Sequence, residues 1–132
     1  MRGWELNNPC NVDRTTIQWQ GMTDFQPDDR FIRFINRAFG YRCAARIIHG
    51  HWTADDTVRT VINRWAPPTE NNTSAYVNDV AKRMGVDPDM VLDWTTHALP
   101  MLRAITYHEQ GDDCPVDDAE IVQGIELESG SA

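Results

Sequence analysis

The sequence predicts a mainly helical single domain with a small irregular or β lobe at its N-terminus. From residue 36 onward, apolar residues recur at helical spacing between capping residues. Before that point, turn-forming dipeptides crowd the chain. Length agrees: 132 residues make one domain, able to bury roughly two-thirds of its unfolded surface. The domain is expected over residues 1–128, with a flexible tail at 129–132.

Residues 1–30 carry Asn7-Asn8-Pro9, Gln20-Gly21 and Gln26-Pro27-Asp28-Asp29, all turn chemistry. Thr15 to Trp19 and Phe31 to Phe34 read as short strands. About five helices follow. Asn36 caps the first, which runs to about His49 with Ala38, Ala45, Ile47 and Ile48 as its stripe. Thr53-Ala54-Asp55-Asp56 resembles a capping box, with Asp in the third place, opening a helix to about Trp65. Val58, Val61, Ile62 and Trp65 form its inward face, and Pro67-Pro68 stops it. Thr73 or Ser74 caps the next, Ala75 to Met84, with Gly85 just past its end. Asp87-Pro88 starts a short helical turn. A longer helix runs from about Thr95 to Gln110, starting nearer Leu99 or bending because of Pro100. Asp117 or Asp118 caps the last, to about Leu127.

The formal net charge of −8 argues against binding nucleic acid through its phosphates. The acidic cluster after residue 111 reads as a solvated face. Cys10, Cys43 and Cys114 lie far apart without a Cys-x-x-Cys spacing, so no metal site and no cofactor is expected. A Cys10–Cys114 bridge is compatible with termini that converge. Neither a signal sequence nor a membrane span is visible, which predicts synthesis in a cytoplasm and no membrane insertion. Five Trp residues suit a core, and also a site that stacks on sugar rings.

The candidate for chemistry is Glu109. Leu102, Ile105 and Glu109 share one helix face, so this carboxyl continues an apolar stripe in the last helical turn. Partial desolvation and the negative end of the helix both disfavour a charge there. A carboxylic acid kept protonated is what cleavage of a glycosidic bond requires. The structural alternatives are an ion pair with an arginine such as Arg46 or Arg103, or a carboxyl that points to water at a frayed helix end.

Several segments together resemble a phage family of virion structural and lysozyme-like peptidoglycan-degrading proteins. They are Arg2-Gly3, Asn7-Asn8-Pro9 with Asn11, Trp19-Gln20-Gly21, Gly40-x-Arg42-x-Ala44-x-Arg46, Arg64-Trp65-Ala66-Pro67-Pro68 with Glu70-Asn71-Asn72-Thr73, Tyr76, Gly85-Val86, and His108-Glu109-x-Gly111. The chain departs from that pattern at Cys10, commonly Gly, and at Gln110, commonly Asn. The run from Asn7 to Val12 with Trp19-x-Gly21 is similar to bacterial glucosaminidases, and the segment Leu102 to Gly111 to the helix end that opens lytic transglycosylases. The resemblance implies a lysozyme-like α+β domain, circularly permuted so that residues 1–12 and 108–115 are neighbours.

On that resemblance Glu109 is the general acid and base. Asn7, Asn8, Asn11, Trp19, Gln20, Glu70, Tyr76 and His108 line the substrate site. The Asn residues either hold a turn or bond N-acetyl groups, and His108 either supports the site or acts in it. The implied function is a muramidase or lytic transglycosylase on bacterial peptidoglycan, with delivery by a holin or other virion proteins. A hydrolase would want a second carboxylate, for which Asp24, Glu70, Asp112 and Asp113 are the candidates. Peptide cleavage is a variant on the same fold. The alternatives are a non-catalytic virion or binding protein on that fold and, on charge alone, an acidic inhibitor-like protein.

Overall fold

A computed structural model describes residues 1–130. Its order is α1 (Arg2–Glu5), α2 (Arg37–Gly50), α3 (Val58–Trp65), α4 (Thr73–Met84), α5 (Trp94–Gln110) and α6 (Asp118–Ser129). The protein is therefore mainly helical. α5 runs through the middle of the molecule and packs on α2, α4 and α6, and its inward residues Met101, Leu102 and Ile105 are fully buried. Around them lie Tyr41 of α2, Ile62 of α3, Val80 of α4 and Ile121 of α6, one continuous apolar core.

The N-terminal lobe is irregular. The strand expected over Thr15–Trp19 is absent, and Phe31–Phe34 makes only isolated bridges, Asp13 to Phe31 and Met22 to Phe34. Thr15 to Gln18 are exposed and pair with no other strand, and β propensity without a partner and a buried face does not hold a strand. Two devices order the lobe instead. Asn8, fully buried, donates to the carbonyls of Val12 and Ile32 and accepts from the Val12 N–H at 2.9 Å. Backbone bonds from Ile32 to Val12 and from Phe34 to Leu6 clip residues 31–34 across it.

Helix starts shift where a different polar side chain captures the first free N–H groups. Asn36 caps α2 as expected, accepting from the Phe39 N–H. The Thr53-to-Asp56 contact forms, Asp56 accepting from the Thr53 N–H at 2.7 Å, but it closes a turn and not a helix. The chain runs on to Thr57, whose hydroxyl and that of Thr60 make the true capping box of α3. Asn72, not Thr73 or Ser74, caps α4, and the Thr73 hydroxyl is spent on the Ala66 carbonyl. Gly85 takes the left-handed conformation expected past its end. Asp87-Pro88 makes an isolated turn with no helix. α5 starts at Trp94 under an Asp93 cap and carries Pro100 inside it, at the cost of one backbone bond. Asp117 caps α6. Of the tail expected at 129–132, Ser129 ends α6 and Gly130 caps it, and residues 131–132 lie outside the described residues.

Two glycines permit close approaches. A side chain at Gly124 of α6 would meet Tyr41 Cβ at 2.5 Å and the Ala38 carbonyl at 2.8 Å, so its absence lets α6 lie directly on α2. At Gly40 it would meet the Asn7 carbonyl at 2.2 Å, which seats the N-terminal loop on α2. All three cysteines are free and buried, so the Cys10–Cys114 bridge does not form. No described helix is long and apolar enough to cross a membrane.

Candidate active site

The N-terminal loop meets the C-terminal end of α5. Gln110 is the staple: its amide donates to the Pro9 carbonyl at 3.0 Å and to Asn11 Oδ1 at 2.9 Å, and its oxygen accepts from the Trp4 N–H at 3.3 Å. Residues 1–12 are thus neighbours of the end of α5, as the termini were expected to be. Gln110 reaches three partners across about a hundred residues of sequence, and no local pattern announces that role.

Glu109 projects beside this seam, partly buried, into a cleft of about 270 Å³. Asn11 Nδ2 donates to Glu109 Oε1 at 2.9 Å, and the Tyr76 hydroxyl donates to Oε2 at 2.7 Å. That hydroxyl itself accepts from Trp65 Nε1 at 3.1 Å, giving a chain from α3 through α4 to α5. Neither expected arginine reaches Glu109: Arg103 pairs with Asp118 and Arg46 with Glu128. Burial pushes the Tyr76 hydroxyl far above its ordinary range, and the adjacent Glu109 charge adds to it. Tyr76 is therefore a permanent hydrogen-bond donor to Glu109.

Asn11 sits in the left-handed region at φ 54°, a conformation Asn tolerates, and this aims its amide at Glu109. Asn7 shares that conformation at φ 56°, but its amide is turned to the Phe34 carbonyl.

The other expected site residues divide. Glu70 lines the cleft from an exposed position beside Asn71. His108 lies outside the cleft, tilted against the Tyr76 ring with centroids 3.7 Å apart and Nδ1 at 2.7 Å from Asp79. It braces Tyr76. Asn7 and Asn8 hold backbone and do not line the cleft, so turn chemistry accounts for both. Trp19 lines a neighbouring hollow, and Gln20 is exposed away from the cleft.

Among the candidate second carboxylates, Asp24 lies in a different hollow and Asp112 pairs with Arg83. Asp113 does not line the cleft. Asp13 does line it, with Arg30 at 3.2 Å, and was not foreseen. Its only sequence signal is its place two residues beyond Asn11. Trp65, expected in the core, is half-buried and lines the cleft. Cys10 also lines it, and burial pushes its thiol well above the ordinary range.

The arrangement is a single carboxyl group oriented by two neutral donors from two different elements, at the wall of an open cleft. It can exchange a proton with a bound group at that wall, and among the described residues no cation pairs with it. Among the described residues no three His, Cys, Asp or Glu side chains cluster as a metal site would require.

No protein-family model matches the chain. It is similar to "Protein P5" of Pseudoalteromonas phage PM2, 31% identical over 130 residues, which are 95% of this chain and 80% of that protein. With that identity over nearly the whole chain, the chain belongs to the family of that phage protein.

Proposed function

We propose that the protein cleaves the glycosidic bonds of bacterial peptidoglycan, as a muramidase or lytic transglycosylase, with Glu109 as general acid and then base. The observation that supports this reading is the setting of Glu109: at a cleft wall, positioned by Asn11 and Tyr76, with no cationic partner among the described residues. A carboxyl group accepts at four lone-pair directions, so two donors leave it free to address a substrate oxygen. The helical domain is then a rearranged lysozyme-like fold, delivered to the wall by other phage proteins or a holin. Kinship with a phage protein agrees with such a setting.

A transglycosylase needs this one carboxyl alone, because the sugar's own hydroxyl displaces the leaving group. A hydrolase would recruit Asp13 or Glu70 from the same cleft. Mass spectrometry of digested peptidoglycan separates the two: anhydro-sugar ends mark a transglycosylase and reducing ends a hydrolase. Release of new amines instead would mark peptide cleavage and refute the glycosidic reading.

One observation favours a second reading, a non-catalytic virion or binding protein. Both Glu109 oxygens already bind neighbours, so the carboxylate also ties the N-terminal loop to α4. Intact peptidoglycan after prolonged incubation, with retained binding to it, would support that role.

A further inference from the structure

The cleft that holds Glu109 does not end at its own walls. Val12, Asp13, Thr15 and Ile47 also line a second, larger hollow of about 410 Å³. The two are adjacent parts of one groove. The second hollow has an apolar floor of Ile17, Trp19 and Ile47, with Ile17 left 52% exposed. Its rim carries Arg46 and His51 from the end of α2. Arg46 is held only loosely, 3.8 Å from Glu128, whereas Asp13 at the junction is matched by Arg30 at 3.2 Å. A chain of net charge −8 thus places a guanidinium, paired with Glu128 only at 3.8 Å, and an imidazole among the lining of an apolar hollow, beside its candidate catalytic carboxyl.

An apolar floor suits the flat face of a sugar ring, and a guanidinium on the rim suits a carboxylate attached to that ring. We propose that this hollow is a second subsite, taking the sugar unit whose lactyl or peptide substituent ends in a carboxylate. Arg46 binds that anion, with His51 as the second donor. The inference rests on the peptidoglycan reading and adds to it a basis for choosing carboxylate-bearing glycan over neutral polymers of the same sugars.

The test uses the full-length Glu109→Gln protein, so that nothing is consumed, and titration calorimetry with two probes of equal sugar number. One is a neutral N-acetylglucosamine oligosaccharide; the other is a peptidoglycan fragment with free carboxylates. The carboxylated fragment should bind roughly tenfold tighter, the size of one charge-assisted contact. Adding Arg46→Gln and His51→Gln, both at exposed positions, should erase that preference and leave the neutral probe unaffected, and Arg46→Lys should keep part of it. Equal binding of the two probes, or a preference that survives the double substitution, overturns the subsite but not the glycan reading. Failure of both probes to bind overturns both.

Discussion

At the scale of single residues, the lobe and the site divide the asparagines between them. Asn11 faces Glu109, while Asn8 spends its whole amide on backbone. Asn8→Ala would leave the Val12 N–H and the Ile32 carbonyl without partners in a dry environment, while the Val12 carbonyl keeps the Ile32 N–H. We expect a loss of about 2–4 kcal/mol in urea unfolding, because each buried orphan costs about 1–3 kcal/mol. An unchanged midpoint would contradict the structural role. The sequence carried part of this: an Asn-Asn-Pro turn was legible from turn chemistry, but which amide turns inward and which faces the site depends on residues 31–34, more than twenty positions away. Glu109 was legible because helical periodicity puts it on the apolar stripe. Its donors Asn11 and Tyr76 were named as site residues only through the resemblance, since Tyr76 lies on another helix at a position that periodicity reads as core.

At the scale of elements, α2 and α6 share the most extensive helix contact among the described residues, and Gly124 is its condition. Gly124→Ala would gain helix propensity in isolation, by about 1 kcal/mol. In the protein the added methyl meets backbone of α2, which cannot swing aside. We therefore expect net destabilisation of about 1–3 kcal/mol, the usual range for overpacking, seen as a lower melting temperature. A higher melting temperature would mean that α6 docks less closely. The helices were legible from period and punctuation, and the misses cluster at their starts. Thr53-to-Asp56 and Thr57-to-Thr60 are both capping patterns, four residues apart, and Arg64 helps choose between them. By gripping Asp56 at 2.8 and 3.0 Å, Arg64 fixes the first as a turn.

Asp56 also sets an acid limit on the whole molecule. Burial works against its charge, but hydrogen bonds from Arg64, Thr60 and the Thr53 N–H outweigh it and hold the carboxyl down at about 2. A carboxyl depressed in the folded state stabilises the fold above its ordinary range near 4 and loses that contribution as pH falls to about 2. Asp56→Asn should therefore be less stable than the native protein at neutral pH, and the gap should close between about pH 4 and 2 in acid unfolding. A constant gap across that window would remove Asp56 as the titrating group.

The global arrangement was only partly legible. That the two ends of the domain meet followed from the resemblance. The irregular path between them did not, because residues 13–30 are ordered by contacts with the distant clip at 31–34 and not by a local period. What the whole fold accomplishes is to hold one carboxyl at the meeting point of the N-terminal loop, α3, α4 and α5.

The most direct test of that account is the initial rate of clearing of a purified peptidoglycan suspension by the native protein and by Glu109→Gln, with matching circular dichroism for the two. Loss of a general acid should lower the rate roughly a hundredfold or more. Equal clearing by both proteins, or no clearing by the native one, would contradict it.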